Sequence, residues 1–120
     1  MLFRSAVVDV DGGEIVDHVW LRPVDAIARF HDDDLQLMPP TYVTLTSLLP
    51  YATVDDALAA AAAREPQAFI STIIRGEDGM VFLYAGDAAL DSEPYDLDRP
   101  GPRRRLDAPK VKPWRWEERA

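Results

Sequence analysis

Chemistry in this chain has few places to start: two histidines, His18 and His31; three consecutive aspartates, Asp32-Asp33-Asp34; four serines, Ser5, Ser47, Ser71 and Ser92; and six glycines. The glycines form neither a GxGxxG nor a GxxxxGK pattern, so no loop of backbone N–H groups is set up to cradle phosphate. The histidines lack the His-x-x-x-His spacing that puts two imidazoles on one metal. A single histidine near a strand is more often structural than a ligand. Clustered carboxylates suit a hard cation, but neighbours in a row point in different directions, and no calcium-loop spacing accompanies Asp32–Asp34. That run is expected to be a solvated acidic loop. None of the serines has a nucleophile-elbow context. There is no cysteine, which removes disulfides, thiolate metal sites and Cys nucleophiles together.

Composition narrows the remaining classes. With 120 residues, 48% hydrophobic and 28% charged, the chain fits one globular domain. No apolar run approaches the ~20 residues of a membrane helix. The net charge of −8 disfavours nucleic acid, whose phosphates need clustered cations. Charge is unevenly spread. Residues 1–98 carry 5 basic and 18 acidic side chains, a net of −13; residues 99–120 carry 8 and 3, a net of +5. That basic end can fold back on the acidic body, bind an anion or stay a solvated tail that keeps the protein soluble, the last being the simplest role.

The patterning predicts an α+β fold. Ala6, Val7, Val8 and Val10 make a β-favouring run, Asp11-Gly12-Gly13 breaks it, and Glu14 to Leu21 resumes it. Pro23 suits the first turn of a helix, with Val24, Ile27, Ala28 and His31 at helical spacing. The three aspartates should stop that helix, because like negative charges oppose its C-terminal dipole. Met38-Pro39-Pro40 is expected to be a rigid loop ahead of a helix over Thr41–Leu49. Thr53 followed by Asp56 predicts a capped helix with a thin apolar stripe of Leu58, Ala61 and Ala62. Ala68–Ile74 and Met80–Ala85 read as a hairpin across Gly76-Glu77-Asp78-Gly79. From Asp91 to Pro113 proline and charge dominate, so irregular structure is expected, with Trp114-Arg115-Trp116 adding at most a short edge strand.

The segment Glu14-Ile15-Val16-Asp17-His18-Val19-Trp20-Leu21-Arg22-Pro23-Val24-Asp25-Ala26-Ile27 resembles the part of Nudix hydrolases that follows the catalytic helix. Leu37-Met38-Pro39-Pro40-Thr41-Tyr42-Val43-Thr44-Leu45, then Ala52-Thr53-Val54-Asp55-Asp56-Ala57-Leu58, then Gly86-Asp87 continue in the same order. This order is similar to the nucleoside diphosphate-linked moiety X motif 19-like subgroup, whose animal members are coenzyme A diphosphatases. The match covers about residues 6–90. It implies a partial Nudix-type α/β/α sandwich with a mixed sheet, comprising the later strands and helices only.

The Nudix box, Gly-x5-Glu-x7-Arg-Glu-x2-Glu-Glu-x-Gly, is absent from this chain. In the family its glutamates bind the Mg²⁺ or Mn²⁺ that activates water, so no metal ligand or catalytic residue carries over to any position here. The resemblance places the box upstream of Glu14, where only thirteen residues stand. Leu2-Phe3-Arg4-Ser5 is what the sequencing-adapter end CTC-TTC-CGA-TCT encodes in one frame. Residues 1–5 are therefore expected to be an adapter-derived scar and the gene to extend upstream. Residues 6–90 would be the C-terminal part of a Nudix domain, and residues 91–120 a Pro- and charge-rich tail.

In the intact enzyme the resemblance implies hydrolysis of a diphosphate linkage in a nucleotide-linked, coenzyme A-like substrate. Met38, Pro39, Pro40 and Thr41 are the candidate substrate-binding residues, since a loop ahead of a helix N-terminus offers N–H groups suited to phosphate. Equally, the prolines can serve only to set the angle at which the chain enters the helix. The alternative is a non-catalytic protein-interaction module using the basic end with Trp114 and Trp116, because Trp and Arg are enriched at binding hot spots. Neither reading calls for nucleic acid or membrane. The default compartment is cytoplasmic: no signal peptide is visible, and Glu118-Arg119-Ala120 is not a Ser-Lys-Leu-type address.

Overall fold

A computed structural model describes residues 12–13, 18–66 and 69–120. The strand expected over Ala6–Val10 and the first half of the Glu14–Leu21 strand lie outside the described residues. Residues 18–21, the rest of that expectation, belong to no strand and lead into the first helix.

Three helices come first. Helix α1 spans Pro23–His31 with Pro23 in its first turn, where a missing N–H costs no intrahelical bond. It buries Ala26 and Phe30. It stops as the aspartates predict, with Asp32 at its C-cap and Asp33 in the left-handed region at φ 61°. Helix α2 spans Pro39–Leu48 and buries Tyr42 and Val43. The expected Met38-Pro39-Pro40 loop is therefore corrected: both prolines are inside the helix. Their fixed φ already suits a first turn, and the first backbone bond, Tyr42 N–H to the Met38 carbonyl at 3.0 Å, asks nothing of either nitrogen. Helix α3 spans Val54–Ala62, and the Thr53 hydroxyl accepts its Asp56 N–H at 3.1 Å as the capping pattern predicts. Its stripe is a second correction, because Leu58, Ala61 and Ala62 are exposed and α3 buries no residue.

Four strands follow: β1 (Thr72–Gly76), β2 (Gly79–Leu83), β3 (Arg103–Pro109) and β4 (Arg115–Arg119). They pair antiparallel in chain order. The fold is α+β, as expected; the sheet is antiparallel throughout its described strands, where the resemblance implies a mixed one. The β1–β2 hairpin turns tightly on Glu77-Asp78, with Gly76 opposite Gly79. Gly79 sits at φ 136°, and a Cβ there would lie 2.5 Å from the Ala108 carbonyl oxygen on β3. Only glycine fits this close approach.

The largest departure from expectation is in residues 91–120. Half the sheet comes from this stretch: β3 lies where irregular structure is expected, whereas β4 is the short edge strand expected at Trp114-Arg115-Trp116. Leu106 and Ala108 are buried on β3, and Leu106 pairs with Phe82 on β2 and Trp116 on β4. These residues form one apolar face, which joins Phe30, Tyr42 and Val43 of α1 and α2 in the core. The period of two then puts Leu83, Arg105 and Glu117, also in register, on the opposite face.

Candidate functional site

The back face of the sheet is charged, and its geometry is set by one carboxylate. The chain leaves β2 through Gly86, at φ 101°, and delivers Asp87 beneath the sheet with 2% of its surface exposed. Asp87 accepts four hydrogen bonds: from Ala89 N–H (2.9 Å), Arg104 N–H (2.9 Å), Arg105 Nε (2.8 Å) and Arg105 Nη2 (2.7 Å). The first starts the short 3-10 turn Ala88–Asp91; the last two are the bidentate fork that arginine makes with a carboxylate. Burial by itself would raise the Asp87 carboxyl. The Arg105 side chain and the two backbone N–H groups outweigh it and hold the group at about 2. Arg105 is raised in turn, chiefly by its hydrogen bonds to Asp87, with burial opposing.

Arg105 also donates from Nη1 to the Leu97 carbonyl at 2.9 Å, fastening the β2–β3 connection to the back face. Beside it runs an open groove of about 290 Å³ lined by Val81, Leu97, Arg105, Asp107, Arg115 and Glu117. Glu117 stands between Arg103 at 3.6 Å and Arg115 at 3.4 Å. Positive and negative groups alternate here, so the groove carries no strong field of one sign. The Arg105 guanidinium spends three donors on the protein itself, so Asp87–Arg105 acts as a clamp for the fold.

A second cluster ties the sheet to the helices. The Trp114 N–H donates to His31 Nε2 at 3.2 Å, and the Tyr42 hydroxyl donates to the Trp114 carbonyl at 2.9 Å. Lys112 Nζ donates to the Phe30 carbonyl and to Asp33 Oδ1, both at 2.7 Å, and lies 3.9 Å from the centre of the Phe30 ring. A cation there caps the C-terminal end of α1, where the free carbonyls and the dipole favour it. His31, at the end of α1, ties the β3–β4 connection to the helices. Trp114 and Trp116 pack against the core, and Trp114 meets Phe30 edge-on at 4.6 Å between ring centres. The two rings expected as a contact element are partly buried against that core.

The four candidate pocket residues sit together at the start of α2. Met38 is 72% exposed, and Pro40 and Thr41 are also exposed. With prolines at the first two helical positions, only Met38 and Thr41 of the four carry a backbone N–H. That is a poor phosphate cradle, and the four residues instead offer an apolar ledge. They do not line the back-face groove.

The described residues do not fit a resident Mg²⁺ or Mn²⁺. Among the described residues no three of His, Cys, Asp or Glu are grouped to hold a metal ion. The most buried carboxylate, Asp87, is already saturated by N–H donors.

Sequence reasoning missed the Asp87–Arg105 clamp. The available signal was the alternation of Arg103, Arg105 and Asp107 against Arg104, Leu106 and Ala108, which is a strand pattern with one charged face. No family model matches the chain, nor does any curated protein or solved structure.

Proposed function

We propose that the chain is the later part of a Nudix-type hydrolase. In intact form, that enzyme would cleave a diphosphate linkage in a nucleotide-linked, coenzyme A-like substrate by metal-activated water. One observation carries this reading: the resembling segments coincide with the punctuation of the fold. Pro23 opens α1, Pro39 opens α2, Thr53 caps α3, and Gly86-Asp87 takes the chain out of β2 into the clamp.

The Mg²⁺ or Mn²⁺ sites would belong to the box, outside this chain. This chain would contribute the ledge Met38-Pro39-Pro40-Thr41 to the substrate pocket, gripping an apolar part of the substrate and leaving the phosphates to other groups. The gene sequence immediately upstream of codon 1 tests the reading. An in-frame Gly-x5-Glu-x7-Arg-Glu-x2-Glu-Glu-x-Gly segment is the expected result. A stop codon and ribosome-binding site directly upstream overturn it.

A second reading, a non-catalytic interaction module, is supported by the exposed apolar residues Val54 and Leu58 on α3 and Ile70 and Ile73 at β1. The basic Trp-containing end is the contact element of that reading, with Trp114 and Trp116 partly buried against the core. Cytoplasmic localisation is part of the proposal in both readings. No helix among the described residues is long and apolar enough to cross a membrane.

A further inference from the structure

We draw no further inference here: the strongest candidate, the exposed apolar strip of Phe69, Ile70 and Ile73 at the β1 edge of the sheet, carries nothing because nothing in the structure shows what covers it.

Discussion

Asp87 and Arg105, eighteen positions apart, meet through two hydrogen bonds of 2.7 and 2.8 Å beneath the sheet. The contact joins the connection that follows β2 to β3, and Arg105 extends it to Leu97. Removing one partner of a buried pair leaves the other charge uncompensated, which typically costs about 3–5 kcal/mol. Asp87→Ala should therefore lower the free energy of urea unfolding by that order. The double variant Asp87→Ala/Arg105→Met should lose less than the two single variants summed. Full additivity would show that the two side chains are not coupled.

The same pair sets a pH dependence with a definite sign. The folded carboxyl of Asp87 titrates at about 2, below the ~4 of an unfolded aspartate. A depressed carboxyl contributes stability that is complete above the unfolded value and disappears as pH falls through the folded one. About 2 kcal/mol should be lost between pH ~5 and ~2. Urea midpoints measured across that range should fall less steeply in Asp87→Asn than in the parent chain.

At the other end of the sheet, Lys112 holds the β3–β4 connection against α1. Its ion pair is the weaker part, because Asp33 is 83% exposed; solvent-exposed pairs contribute about 0–1 kcal/mol. Its bond to the Phe30 carbonyl and its seat over the ring are more sheltered. Lys112→Met should cost more than Asp33→Asn, which removes the charge but keeps a side chain suited to φ 61°, by about 1 kcal/mol. Thermal melts of the two variants, in low and high salt, separate these contributions.

Gly79→Ala tests the close approach of β2 to β3. The added Cβ would have to displace backbone, with the Ala108 carbonyl oxygen at 2.5 Å, from a residue at φ 136°. A loss of more than about 1 kcal/mol is expected in denaturant titration. Gly76→Ala, whose Cβ would meet nothing nearer than 3.8 Å, should cost less.

The helix boundaries were legible because single residues set them: Pro23 at the start of α1, the aspartates at its end, and Thr53 at the cap of α3. The β1–β2 hairpin was legible from its glycines. Strand β3 was not, because three of its seven residues are arginines and a proline ends it. Arg105 is buried only because Asp87 neutralises it, a relation that local pattern does not reveal. The α2 prolines misled for a related reason, since proline breaks a helix interior yet suits a first turn. Of the candidate site, the positions of Met38–Thr41 were legible but not their character, which follows from two missing N–H groups. The apolar residues of α3 look like a buried stripe from spacing alone, whereas the described structure leaves them exposed.

The most direct test of the central claim is hydrolysis of coenzyme A by the chain joined in frame to its upstream sequence. Mg²⁺- or Mn²⁺-dependent cleavage of the diphosphate is predicted, absent from the 120-residue chain alone. Box Glu→Gln should lower kcat far more than it changes folding. Pro40→Ala should act mainly on KM, because a ledge lining the proposed pocket would hold substrate without touching the attacking water. An upstream segment without a box, or a joined protein that binds the metal yet leaves diphosphates intact, contradicts the account.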